Sequence, residues 1–432
     1  MPLISRITLL SLALTFGSVL ADWPDRHGPT LDGHVPLEHA KDLPLSWTET
    51  ENRAWSTPLH DEGHSSPVIA DSKVWLTAAS EDGRKQYVIA IDANDGTVLH
   101  DQLLFENEEV ESLGGAVGFN NYAAPTCVLG DGSVFVHFGS YGTARLDAET
   151  ATVLWQRRDL ECRHYRGPGS SPVLVEGRLI LTFDGVDQQY TVALDADTGE
   201  TLWRTDRSTD YGDLDESGKP KREGDLRKAY GTPGIAEVNG RKQILSVGSR
   251  AMQSYDLETG KELWTVRHGE YNAAIRPLWL PEQKLVILNT GSRGSRLIAV
   301  RLDETTTGDV TDTHVVWSRD KGNPRFAKAV YHDGSLFQCT DNGVLACIDV
   351  ATGDEIWRGR IRGNYRSSPI LAGERLYFFS EEGRCSVLKA GDEFEEIAVS
   401  EIDEMGTTAC PAVSEGAIFV RGKSHLFKIA KP

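Results

Sequence analysis

The sequence predicts an all-β protein: an eight-bladed β-propeller of four-stranded antiparallel blades. Three observations carry that reading. An eleven-residue phrase, "ALDADTGETLW" at 193–203, returns as "SYDLETGKELW" at 254–264 and "CIDVATGDEIW" at 347–357. "RLDAETATVLW" at 145–155 lacks the glycine, and "AIDANDGTVLH" at 90–100 ends on histidine. Upstream lies a short start, found eight times: "SSPVI", "AAPTC", "SSPVL", "GTPGI", "IRPLW", "AKAVY", "SSPIL" and "ACPAV". Each start is followed by a tight turn and a β-rich stretch, from "KVWLTAA" at 73–79 to "AIFVRGK" at 417–423. Gly, Asn and Asp in those turns supply the backbone that hairpins need. Starts recur every forty to sixty residues or so, which suits a four-stranded unit, and no 3.6-residue apolar period separates them.

Taken in order, the chain opens with Arg6, an apolar run over 7–20, and small residues Val19 and Ala21 before Asp22. That is the pattern of a signal peptide over 1–21, cleaved near Ala21, so the mature protein is expected to be exported, periplasmic or extracellular. Residues 22–42 read as an N-terminal extension, of which deletion of 22–35 is expected to be mild. Residues 43–432 form the propeller. The eighth unit ends at "SHLFKIAKP" without a closing phrase, while "LPLSWTETE" at 43–51 precedes the first start. The strand 43–51 is therefore expected to pair with the C-terminal blade and remove an open sheet edge.

The totals exclude several classes. A net charge of −19 over 432 residues argues against broad attraction to nucleic acid or anionic lipid. No segment beyond the first twenty residues is long and apolar enough to span a bilayer. Six scattered cysteines, with no CxxC or adjacent pair, are no disulfide framework. "HDEGH" at 60–64 lacks Glu beside its first histidine, and "DLDESG" at 213–218 lacks the distal Glu of a calcium loop. No metal site is assigned to either.

Ala193, Asp195, Gly199 and Trp203 match the spacing AxDxxxGxxxW in full. In this the chain resembles the β-propellers built from pyrroloquinoline-quinone-type repeats. The resemblance implies that each tryptophan docks between its own alanine and the glycine peptide of a neighbouring blade. Trp155, Trp264, Trp317 and Trp357 would act likewise, and Trp47 would serve the last blade. Two branches share that fold. Quinoprotein alcohol dehydrogenases hold quinone and calcium in the channel, usually in longer chains with an adjacent-cysteine ring or a haem segment. The other branch is similar to BamB and to secreted repeat proteins. "DWPDRHGPTLDGHVP" at 22–36 resembles the "WPxxRGPxxxG" start of those secreted members, with His27 in place of Arg. The resemblance favours a secreted binding or scaffolding module with no cofactor firmly implied. The alternative is a quinone-dependent dehydrogenase of alcohols or sugars.

Loops entering the blades carry recurrent aromatic and cationic residues. Asn121, Tyr122, Arg163, Tyr165, Arg166 and Tyr230 lie in the first three; Arg276, Arg325, Tyr365 and Arg366 lie in the later ones. In a ring these loops meet at one channel mouth, which would suit a small anionic or planar ligand, or an acidic protein partner. The other reading is that they only pack the loops.

Overall fold

The computed structural model describes residues 23–116, 118–291 and 294–432; the signal peptide expected at 1–21 and its cleavage point lie outside them. Eight antiparallel sheets follow one another around an axis. Blade 3 is representative, running Val173–Val175, Arg178–Asp184, Gln189–Asp195 and Thr201–Asp206 from the axis outward. Blade 4 adds the short strand Gly308–Asp309, parallel to Glu262–Arg267. The core lies in the seams between blades. Trp75, Val88 and Ala90 of blade 1 pack in one cluster with Val134, Val136 and Ala144 of blade 2.

The repeated phrase closes each blade onto the next. Asp195 Oδ1 accepts the N–H groups of Asp197 (3.0 Å) and Thr198 (2.8 Å), which tightens the turn. Gly199 completes it at φ +73°, where a Cβ would lie 2.8 Å from the Trp155 ring of the preceding blade. Trp155 Nε1 donates to Ala196 O (2.9 Å) in that same turn. Trp203 stacks on Gly260 and donates to Leu257 O (3.0 Å); Trp317 stacks on Gly353 and donates to Val350 O (2.9 Å). Trp357 reaches Gly391 O (2.8 Å). Trp264 bonds Gln243 of its own blade (2.8 Å) and is paired by Gly308 instead of a motif glycine. In blades 2 to 6 the motif's first position faces the tryptophan, as Ala193 faces Trp203.

The closing strand lies later than expected. Arg53–Pro58, not 43–51, pairs with His425–Ile429, with Ser56 opposite Phe427 and Thr57 opposite Leu426. Residues 43–51 cannot run as a strand because Thr48 folds back on Glu51 in a turn (Thr48 N to Glu51 O, 3.0 Å). The tryptophan that docks blade 8 onto blade 1 is accordingly Trp55: its ring covers Gly96 and its Nε1 donates to Asn94 O (3.1 Å). Trp47 instead stacks on Phe379 of blade 7, 6.0 Å between ring centroids.

The innermost strands fix the channel. One residue per blade, the second of each "SSPV"-like start except in blade 2, forms a ring at its waist: Ser66, Thr126, Ser171, Thr232, Arg276, Lys328, Ser368 and Cys410. In blade 2 the ring residue falls two positions beyond what the "AAPTC" start suggests, because Val128 is the counterpart of Val68. Backbone N–H groups donate around the ring to the next blade's side chain. Ser66 donates to Thr126 (2.9 Å), Thr126 to Ser171 (2.9 Å) and Ser171 to Thr232 (3.0 Å). Lys328 donates to Ser368 (3.0 Å), Ser368 to Cys410 Sγ (3.4 Å) and Cys410 to Ser66 (2.9 Å).

The two cationic members of the ring turn to the N-terminal segment. Arg276 grips Asp25 and Lys328 Nζ donates to Leu31 O. Residues 23–35 plug the channel, contrary to the expectation that their deletion is mild. Trp23 is fully buried and exchanges backbone bonds with Ile69 (3.0 and 2.8 Å). Leu129 N donates to Pro24 O, and Gly33 and Val35 pair with Leu371. The apolar indole and the carboxylate of Asp25 need burial and a counter-charge, and the channel supplies both.

Candidate functional site

Above the plug, a cavity of about 400 Å³ opens at the channel mouth. Its wall takes one residue from each blade, two positions before the waist ring. These are His64, Ala124, Gly169 and Tyr230 in blades 1–4, then Ala274, Phe326, Arg366 and Thr408 in blades 5–8. Arg26 of the plug contributes to the lining from below, and longer loops add Phe119, Arg166, Arg222, Lys228, Tyr271 and Arg325.

Six cationic side chains meet one carboxylate here, Asp225, although the whole chain carries −19. Three cations have acid partners: Lys228 with Asp225, Arg325 with Asp341, and Arg366 with Glu381 (2.8 Å). Arg26, Arg166 and Arg222 make no ion pair with a described carboxylate. Arg26 Nε instead donates to the Cys410 thiol (3.4 Å). Arg166 Nε is buried without a hydrogen-bond partner, and its guanidinium lies 5.3 Å from the Tyr165 ring centroid. Arg366 lies 4.0 Å over the Phe119 ring and 5.6 Å from Phe326, whose rings meet edge to face. Burial first, then the charges of Arg421, Arg366 and Arg26, bring the His64 imidazole down to about 4, so it is neutral at pH 7.

The supporting backbone is held in left-handed conformations. Tyr165 (φ 43°), Arg166 (φ 94°), Arg222 (φ 51°) and Asn272 (φ 62°) all sit at this mouth. Asn120 Nδ2 fixes the strained turn by donating to Arg166 O (2.8 Å) and Pro168 O (3.2 Å). Such strain persists only where surrounding contacts over-determine it, and it concentrates at binding sites.

The structure brings together Arg166, Tyr230, Arg325 and Arg366 from the loops singled out in the sequence. Asn121 lines an adjoining cavity with Arg366. Tyr165 stands behind the wall, its carbonyl accepting from Tyr230 (3.3 Å). The other four lie elsewhere. Tyr122 and Tyr365 are buried and bond loop carbonyls, Arg163 pairs with Glu111 (2.8 Å), and Arg276 belongs to the waist ring. Sequence reasoning missed Arg26, His64, Arg222 and Lys228. The usable signal was positional: the residue two before the waist residue in every start faces the mouth.

The family model described as outer membrane protein assembly factor BamB matches residues 41–158, 118–204, 187–324 and 309–393. The chain belongs to that family. Solved structures of the same fold superpose on this chain over most of their length. The quinohemoprotein alcohol dehydrogenase of Comamonas testosteroni superposes with a TM-score of 0.66 at 14% identity, over 96% of this chain and 81% of that one. BamB of Moraxella catarrhalis gives 0.59 at 14%, over 87% and 99%. A europium-containing methanol dehydrogenase gives 0.65 at 12%, over 94% and 90%. No curated protein is matched by sequence. At these identities the structural likeness is one of fold.

The donor set fits part of a quinone–calcium pair and not the rest. The arginines suit the carboxylates of pyrroloquinoline quinone. Calcium needs several oxygen ligands, yet the cavity's one carboxylate is engaged by Lys228. Among the described residues no three His, Cys, Asp or Glu side chains are grouped to hold a metal ion. "HDEGH" directs His60 to Asp61 and Asp101 (2.9 Å each), and Asp213 of "DLDESG" pairs with Arg227 (2.7 Å). No helix among the described residues is long and apolar enough to cross a membrane.

Proposed function

We propose that this propeller is an exported binding module whose channel mouth takes a small anionic ligand with a planar or ring-shaped part. The carrying observation is the charge imbalance: six cationic side chains around one carboxylate, in a strongly acidic protein. Three of those cations lack an acid partner, so an incoming anion would supply the missing counter-charge through charge-assisted hydrogen bonds. Tyr230, Tyr271, Phe119 and Phe326 offer faces and edges to a flat ligand. Export rests on the N-terminal sequence pattern, and a scaffolding role would follow the same surface if the anion were an acidic segment of a protein partner.

Isothermal titration with citrate and with pyrroloquinoline quinone tests the reading. Binding should weaken as salt rises, and Arg166→Gln with Arg222→Gln should weaken it by at least about tenfold, the scale of one charged hydrogen bond or more. Absence of binding to any carboxylate, or equal binding by the double variant, would sink it.

A further inference from the structure

A second cavity, of about 330 Å³, lies beside the mouth at the seam of blades 8 and 1. It shares His64, Asn120, Arg366 and Thr408 with the first, but Arg421 and Lys423 belong to it alone. Arg421 is 3% exposed. Among the described residues two other arginine side chains are sealed from solvent, and each is neutralised at two points by an aspartate, Arg207 by Asp184 and Arg276 by Asp25. Arg421 makes no ion pair with a described carboxylate. Its Nη1 donates to Ser65 Oγ (2.6 Å), Ser65 O (3.3 Å) and Thr77 O (2.7 Å), all neutral, and its Nε has no partner. The guanidinium occupies the space that a Cβ at Gly63 would need, so glycine there keeps it facing the cavity. Burial pulls Arg421 down to about 10, which leaves it cationic at neutral pH. A buried cation held by neutral oxygens alone is short of one negative charge.

The rest of the lining says which anion. Arg366, Arg421 and Lys423 face Glu62 and Glu381 in this cavity, a lining in excess by one positive charge, so a second negative charge on the ligand would find no counter-charge, while a hydroxyl could donate to the carboxylates. Asn121 and Thr408 offer further neutral polar groups, and Gly63, Gly406 and Gly422 give flat walls that admit a ring. We propose that this cavity is a separate subsite in which Arg421 takes the carboxylate of a singly charged, hydroxyl-rich ligand of the acidic-sugar class. The proposal stands apart from the reading of the mouth, because its anchor residue lies outside that cavity.

The test titrates the full mature chain with glucuronate, glucose and inorganic phosphate. Glucuronate should bind, with glucose and phosphate each about tenfold weaker or worse. Arg421→Met should fold with unchanged or raised melting temperature, since it removes an uncompensated buried charge, and should lose glucuronate binding by about tenfold or more. Lys423→Ala, an exposed change that spares the fold, should weaken glucuronate binding about threefold. The Arg166→Gln, Arg222→Gln variant should keep it, which separates this subsite from the mouth. The proposal is overturned if wild type ignores glucuronate, if glucose or phosphate binds as well, or if the Arg421 and Lys423 variants bind unchanged.

Discussion

Asp25 and Arg276, 251 positions apart in sequence, meet in a buried two-point ion pair (Oδ1–Nη1 2.5 Å, Oδ2–Nη2 2.9 Å) on the channel axis. Both side chains are almost wholly sealed from solvent. Truncating one partner strands the other charge in a low-dielectric interior, so Asp25→Asn should destabilise by about 3–5 kcal/mol. Replacing both by apolar residues of similar volume should cost far less. Chemical denaturation of the single and double variants checks this. A neutral Asp25→Asn would mean that the plug does not seat as described, and deletion of 22–35 would then be harmless as well.

The docking tryptophans give a graded series. Trp203→Ala should cost about 3–5 kcal/mol, as for other large buried aromatics. Trp55→Ala, whose ring is only part-buried, should cost less than that but loosen the ring's closure, exposing the edge of His425–Ile429 to aggregation. Trp47→Ala removes a ring that is only 3% exposed, so it should cost about as much stability as Trp203→Ala yet leave closure intact, since Trp47 packs on Phe379 of blade 7 outside the closing sheet. Light scattering during thermal unfolding distinguishes the two.

That contrast shows what the sequence could convey. The count of blades and the role of Trp203 were legible because each phrase meets the same kind of neighbour in every repeat, so one spacing recurs. Closure was not, because blade 8 joins the two chain ends, where "RAWSTP" carries no copy of the phrase and Trp47 sits nearer the expected place. The mouth was only half legible. Its eight wall positions keep one offset from the waist ring but are chemically unlike, running from glycine at 169 to arginine at 366. Arg26 comes from the extension, and Arg222 and Lys228 come from the long loop before blade 4, where no repeat marks them.

Stability should fall with acid earlier than carboxylate titration would cause. Burial, reinforced by His164, holds the His137 imidazole down to about 3. Burial likewise outweighs Asp187 and Glu111 and brings His164 to about 4. His164 Nε2 accepts the Ser140 N–H (3.0 Å), which a protonated ring could not do. Both are neutral when folded and titrate near 6.5 when unfolded. Their contribution is therefore complete above about pH 6.5 and is lost as pH falls from there toward 4. The melting temperature should drop between pH 7 and pH 5, and His164→Gln should flatten that slope. A flat wild-type profile over this range would show that the histidines are not held neutral.

Ligand binding at the mouth should itself depend on pH through His64. In the free protein this imidazole is held near 4 by burial and by the charges of Arg421, Arg366 and Arg26. An anion bound beside Arg366 and Arg26, the two of those arginines that line the mouth, offsets their field and favours the protonated ring, so the bound-state value must lie above the free one. A group whose affinity for protons rises on binding takes up protons as the ligand enters. Affinity should accordingly increase as pH falls from neutrality through the bound-state value and level off below about 4. Calorimetry in two buffers of different ionisation enthalpy, at pH 5 and at pH 7.5, reads that uptake directly. His64→Gln should abolish the proton uptake while leaving the affinity at pH 7.5 nearly unchanged, because the wild-type ring is neutral there. Proton release on binding, or uptake that survives the substitution, would place the titrating group elsewhere and remove His64 from the site.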